Sequence, residues 1–364
     1  MESLWFVLSL LALLAWSGSD IFSKIGTQQN DKNSHWKVVF AVGFVMGIHF
    51  LFTVVGGIII DNTCGIEALE STGFGKMMAS LIYTDFTPMD FVKYLPVAGL
   101  YILAMVFGYM GLRYIELSIS SPICNCSGAM AFLLCVLLGS FFGIETEVTP
   151  TIIVAVILIT VGIVALGFIE NLEDEEVKAA RQEKANRKYS KSVLAFLLPV
   201  VYLVIDALGT FADEIIFAIE GPDGEGIITD YAANSAFELT FFLLAIFAAI
   251  WLKVIKKKKR TVKSIAGVET KNIVKNVTVE ETVEEENTNL FKGNKFFFLG
   301  GICETIGQAF YMAVMFAEFE VGMVIICAYC ALSVLWGGIF LKEKLSWKHY
   351  TAIACAFIGI MLLG

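Results

Sequence analysis

The 25-residue stretch Trp36–Ile60, WKVVFAVGFVMGIHFLFTVVGGIII, holds one lysine at its margin, one histidine and one threonine, and is otherwise apolar or glycine. A helix rises about 1.5 Å per residue, so a run of about 20 apolar residues spans the roughly 30 Å hydrocarbon core of a bilayer. Working outward, similar runs occupy Leu4–Ser23, Tyr94–Arg113, Leu117–Phe142, Pro150–Ile169, Val193–Phe217, Tyr231–Lys253, Phe296–Phe316, Val321–Leu341 and Trp347–Gly364. Composition agrees: 57% of the 364 residues are apolar and 17% are charged, against roughly 25% charged in an ordinary soluble domain. The expected fold is an all-α polytopic membrane protein with ten transmembrane helices.

The connecting segments set orientation. Asp61–Lys93 reads as a mildly acidic loop, Glu170–Ser192 as a charged linker, and Val254–Lys295 as a mostly disordered loop running from Lys256–Arg260 to Glu284–Glu286. All but two of the 26 Lys and Arg residues fall in loops that follow odd-numbered spans, the exceptions being Lys76 and Lys93. Basic loops are retained in the cytoplasm, so both termini are expected on the other side, in the cell membrane or an endomembrane. The first run lacks a basic leader and reads as a span, not a cleaved signal.

Several function classes drop out. The net charge of -9 sits in the loops, and no nucleic-acid partner is expected. Seven of the eight cysteines lie inside apolar runs, Cys64 being the exception, so no disulfide framework is expected. Cys327 and Cys330 have CxxC spacing and read as small packing residues. There is no HExxH, GxSxG or P-loop, and only His35, His49 and His349 are present; no enzymatic activity, metal or cofactor is expected.

An internal repeat divides the chain. A shift of 197 residues sets Ala131 on Ala328, Leu138 on Leu335, Thr149 on Ser346, Ala155 on Ala352, Gly162 on Gly359 and Gly167 on Gly364. The halves are residues 1–170 and 193–364, joined by the linker 171–192. Five is odd, so the second copy enters from the opposite face and the five-helix repeats are inverted. Two copies related by an axis in the membrane plane can rock about a central site and expose it to each side in turn.

Two motifs carry a family resemblance. Trp16-Ser17-Gly18-Ser19-Asp20-Ile21-Phe22-Ser23-Lys24 resembles the end of the first helix in the EamA-like branch of the drug/metabolite transporter superfamily. Leu341-Lys342-Glu343-Lys344-Leu345-Ser346, followed by Gly359, is similar to that family's signature between helices nine and ten, with a weaker counterpart at Gly143–Thr149 before Gly162. The resemblance implies a secondary carrier for a small metabolite or drug, with a central cavity and with helices five and ten as peripheral scaffold. Those two helices, free of ionisable residues in their cores, are also where a homodimer contact is expected. The family's termini are cytoplasmic, which the charge count here opposes.

Ionisable side chains kept inside a bilayer usually face a cavity, pair with one another or relay protons. On the eighth span Glu304, Gln308 and Tyr311 are spaced i, i+4, i+7 and share a face. Asp206 follows Tyr202 by one turn on the sixth, Asp20 follows Trp16 on the first, and Ser333 follows Tyr329 on the ninth. Asn125 on the fourth and Glu238 on the seventh complete the substrate or coupling candidates. Asp213, Glu214 and Asp20 lie near span ends, where solvated boundary positions are the commoner role, and His49 reads as a satisfied packing residue. The expectation is a secondary active transporter working by alternating access, in which Glu304 with Asp206 binds a cationic group or exchanges a proton and aromatic side chains supply cation-π contacts. A channel, or a non-transporting receptor or scaffold, is the alternative.

Overall fold

The computed structural model describes residues 4–27, 31–144, 148–169, 193–221, 226–270, 290–291, 294–317, 319–343 and 345–363. These form helices α1 (Leu4–Gly26), α2 (Ser34–Thr63), α3 (Ile66–Glu70), α4 (Gly73–Ile82), α5 (Pro88–Gly111), α6 (Leu117–Leu138), α7 (Pro150–Ile169), α8 (Val193–Ala218), α9 (Asp230–Thr270), α10 (Lys295–Ala317), α11 (Phe319–Cys327), α12 (Tyr329–Phe340) and α13 (Trp347–Leu363). Among the described residues eight spans are long and apolar enough to cross a membrane: α1, α2, α5, α6, α8, the first part of α9, α10, and α11 with α12 taken together. Shorter apolar helices are Pro150–Leu166 within α7, and α13. On α2 the side chains of Ile48, Leu51, Phe52, Val55, Ile58 and Ile59 are all more than half exposed. A stripe of that kind is costly in water and at home in lipid. The chain is an all-α, multi-pass integral membrane protein.

Packing is pairwise. α1 runs along α10 and α5 along α8; α2 lies against α9 and α7 against α13; α2 also touches α10, as α9 touches α5. The α7–α13 pair depends on glycine. A Cβ on Gly162 would stand 2.7 Å from the Ala352 carbonyl oxygen and 2.9 Å from the Ala356 nitrogen; one on Gly359 would stand 2.9 Å from the Ala155 carbonyl oxygen and 3.1 Å from the Ile159 nitrogen. Small residues let two backbones approach where lipid supplies no hydrophobic drive for association. The glycine faces of α7 and α13 are thus occupied by each other. Gly162→Val or Gly359→Val is expected to lower stability by about 1–3 kcal/mol through overpacking. Gly99→Ala, where a Cβ meets nothing within 4 Å, should leave the thermal midpoint at or above that of the parent.

Four expectations are corrected. The third span begins at Pro88, not Tyr94, because Thr87 and Asp90 form a capping box: the Thr87 backbone N–H and hydroxyl donate to Asp90 Oδ2 at 2.8 and 2.6 Å. Charges at Asp90 and Lys93 had hidden that first turn. The helix over the expected seventh span, α9, continues through the lysine run to Thr270, since Lys and Arg are good helix formers and propagation from an existing helix costs little; residues 271–289 lie outside the described residues, as does the linker 170–192. Asp61–Lys93 is not an open loop. Its helices α3 and α4 lead into a cap over the ends of α2 and α9, where Ser235 donates to Thr84 at 2.8 Å and Tyr231 donates to Glu70 at 2.6 Å. There the Tyr83 hydroxyl donates to Asp61 at 3.2 Å, and burial together with that carboxylate pushes its phenol up to about 12. Finally, the ninth span is not one helix: it breaks at Ala328, between Cys327 and Tyr329.

Candidate functional site

Two adjoining cavities of about 50 and 60 Å³ lie at the centre of the bundle and share Met105, Tyr202, Glu304 and Tyr329 as common wall. Space of this size holds a few water molecules. α7 and α13 line neither cavity, in keeping with their clean apolar cores.

Each carboxylate is delivered by a different helix. Asp20 on α1 borders the first cavity and accepts from the Ser121 hydroxyl at 2.5 Å. Asp206 on α8 borders the second and accepts from the Ser127 hydroxyl at 2.6 Å. Glu304 on α10 reaches both, with the Ser19 hydroxyl beside it. Among the described residues no Lys, Arg or His lines either cavity, although the buried Lys24 ammonium, one turn after Asp20 on α1, acts on that carboxylate. Each cavity is therefore bordered by two carboxylates, Glu304 being common to both, and even with the Lys24 ammonium acting on Asp20 this excess of carboxylates costs free energy unless protons or a further cation balance it.

The remaining walls are aromatic and polar. Trp16 packs on Tyr311 with ring centroids 5.1 Å apart and on Tyr329 at 5.7 Å. Asn125 donates to the Ser121 carbonyl at 2.8 Å. Trp16 Nε1, Gln308 Nε2 and the Tyr109 hydroxyl are buried donors at the cavity walls with no hydrogen-bond partner among the described residues. Buried donors left unmet in this way are ready for acceptor atoms of a ligand or for water. Tyr329, the residue after the break at Ala328, borders both cavities, and broken membrane helices are tolerated where they line a cavity.

The structure thus brings together Glu304, Asp206, Asp20, Gln308, Tyr311, Trp16, Tyr202, Asn125 and Tyr329. Ser333, fully buried on α12, faces Asp20 without lining either cavity. Glu238 does not belong to the group. It pairs with His49 Nδ1 at 2.7 Å and accepts from Asn234 at 3.3 Å, while His49 Nε2 meets the Leu81 carbonyl at 2.9 Å. His49 is thus a satisfied residue within the bundle, as expected, and its two ring nitrogens tie α2 to α9 and to the cap. Asp213 is corrected in the opposite sense: it is fully buried, not a solvated boundary residue. Tyr94, Tyr101 and Tyr109 were also missed; their near-heptad spacing on α5 was the available signal.

No family model matches the chain, and no curated protein matches it. Among solved structures, 28 chains match. One, described only as "Crystal structure of protein", aligns over 100% of this chain and 98% of its own with a TM-score of 0.55 at 13% identity. At that identity the likeness shows a shared fold and carries no activity across.

Proposed function

We propose that the chain is a secondary active transporter for small organic cations, an EamA-like carrier of ten membrane helices in two inverted repeats. The observation that carries this reading is the convergence of Asp20, Asp206 and Glu304 on two adjoining aromatic-walled cavities that no Lys, Arg or His among the described residues lines. A primary ammonium would meet Glu304 together with Asp20 in the first cavity or Asp206 in the second, Trp16, Tyr202, Tyr311 and Tyr329 would offer ring faces, and Gln308 and Trp16 would donate to an acceptor elsewhere on the molecule.

The repeat assignment has support in the packing. Exchanging one half for the other turns the α1–α10 contact into α8–α5 and the α2–α10 contact into α9–α5, while α2–α9 and α7–α13 map onto themselves. At residue level, the 197 shift carries Gly162 over the Ala352 oxygen onto Gly359 over the Ala155 oxygen. Such a two-fold relation suits alternating access, and a nearly filled central space suits an occluded state of that cycle.

The test is a thermal-shift screen of purified protein against tyramine, agmatine, spermidine, neutral amino acids and sugar nucleotides, followed by counterflow in proteoliposomes. Amines alone should stabilise, by about 2.7 kcal/mol at a hundredfold excess over Kd, and their flux should saturate. Stabilisation by sugar nucleotides in place of amines, or non-saturating conductance, would overturn the reading and favour a different cargo or a channel.

A further inference from the structure

A fourth carboxyl group lies outside both cavities. Asp213 on α8 is fully buried and is met by three phenols. Tyr94 donates to its Oδ1 at 2.7 Å, Tyr101 donates to its Oδ2 at 3.2 Å, and Tyr311 stands 3.5 Å from the same oxygen. Tyr101 and Tyr311 are themselves 2.5 Å apart, hydroxyl to hydroxyl. One hydroxyl has one proton to give. If Tyr101 donates to Asp213, the short bond between the phenols is donated by Tyr311, and the order becomes Tyr311 to Tyr101 to Asp213. Tyr101 and Tyr311 are wall residues of the second cavity, whereas Tyr94 and Asp213 are not. The hydrogen bonds thus form a continuous line from the central space to an enclosed carboxylate.

The groups around Asp213 are few. From α5 come Tyr94 and Tyr101, and from α10 Tyr311 and the Met312 thioether, 3.6 Å from the Tyr94 hydroxyl. On α8 itself Asp206 lies two turns earlier and Glu214 is adjacent. Each group shown facing the carboxylate is a hydroxyl donor; none is a cation.

We infer that Asp213 is the proton site of the transport cycle, separate from the cation site at Asp20, Asp206 and Glu304 and joined to it by the Tyr311–Tyr101 pair. The proton inventory closes. A proton arriving from cavity water binds the Tyr311 oxygen, the former Tyr311 proton passes to Tyr101, and the former Tyr101 proton passes to Asp213 Oδ2. Both phenols end neutral and Asp213 ends as the acid; the reverse sequence releases the proton. Two sites of this kind let a bound cation and a proton exclude each other through shared wall residues without competing for one carboxylate.

The inference rests on the transport reading, and its test is chosen to be separable from it. Infrared difference spectra of the reconstituted full chain, acid minus alkaline buffer, should contain a carboxyl band that is lost in Asp213→Asn and displaced in Tyr94→Phe, which removes one donor and keeps the ring. Adding tyramine, agmatine or spermidine at fixed pH, whichever stabilises the protein most, should remove the same band as Asp213 gives up its proton. Spectra unchanged by Asp213→Asn, or unchanged by Tyr94→Phe if the aspartate variant does not fold, overturn the assignment. So does a band that responds to pH and not to a transported amine. Amine flux without an Asp213 band defeats this inference alone, whereas absent amine flux defeats the transport reading whatever the spectra show.

Discussion

Glu304→Gln is expected to raise the half-saturation of amine uptake about 30-fold or more while leaving the protein folded. Glutamine keeps the size and hydrogen-bonding capacity of the side chain and removes only the charge. Glu304 is the one carboxylate that borders both cavities, so a cation moving between them would keep contact with it throughout. Removing one partner of a buried, hydrogen-bonded charge pair costs about 2–5 kcal/mol, and the lower bound already weakens affinity about 30-fold. Asp20 and Asp206 each border one cavity, and Asp20→Asn or Asp206→Asn should weaken uptake less. Glu304→Asp restores the charge on a shorter stem and should recover part of the loss. The measurement is uptake of labelled agmatine as a function of concentration, with the thermal midpoint measured on the same samples. An unchanged half-saturation in Glu304→Gln would remove Glu304 from the cation site.

The residues that could be read from sequence were those whose signal is local. Glu304, Gln308 and Tyr311 share a helix face by spacing alone, and a carboxylate midway along an apolar run is conspicuous for its solvation cost. Asp206 and Tyr202 follow the same rule. Asp213 was misjudged because distance from a span end measures depth only when the helix ends at the bilayer surface; its burial comes from tyrosines on α5 and α10, far away in the chain. Those tyrosines were invisible for a related reason. A phenol counts as apolar in a hydropathy window, although a buried hydroxyl must find a partner. The His49–Glu238 tie joins residues 189 positions apart, and no periodicity encodes such a pair. At the level of fold, apolar runs located the spans, but caps such as Thr87–Asp90 and the continuation of α9 obey hydrogen bonding and helix propensity, which hydropathy does not measure.

Lys24→Met is expected to open the first cavity at the α5–α6 turn. Lys24 ends the first-helix motif and is fully buried. Its ammonium donates to the Leu112 carbonyl at 2.6 Å and to the Ile115 carbonyl, both in the turn that follows α5. Leu112 and Leu117 line the first cavity beside Asp20 and Ser23, so this side chain ties α1 to the segment that closes the cavity at that end. Methionine keeps the apolar stem and removes the donors. A charge-assisted hydrogen bond contributes about 1.5–3 kcal/mol, and losing about 3 kcal/mol shifts a closed–open ratio by roughly 100-fold. Cys124 reports the change directly: it lies in the wall of this cavity and is 7% exposed. Its alkylation by N-ethylmaleimide, followed by mass spectrometry, should accelerate strongly in Lys24→Met and stay near the parent rate in Lys24→Arg, which keeps charge and donors. If the thermal midpoint falls while Cys124 remains as slow as in the parent, Lys24 anchors the fold without governing access. Acceleration in native conditions, before any unfolding, would identify the α1 contact with the α5–α6 turn as the bond that one half of the cycle must break.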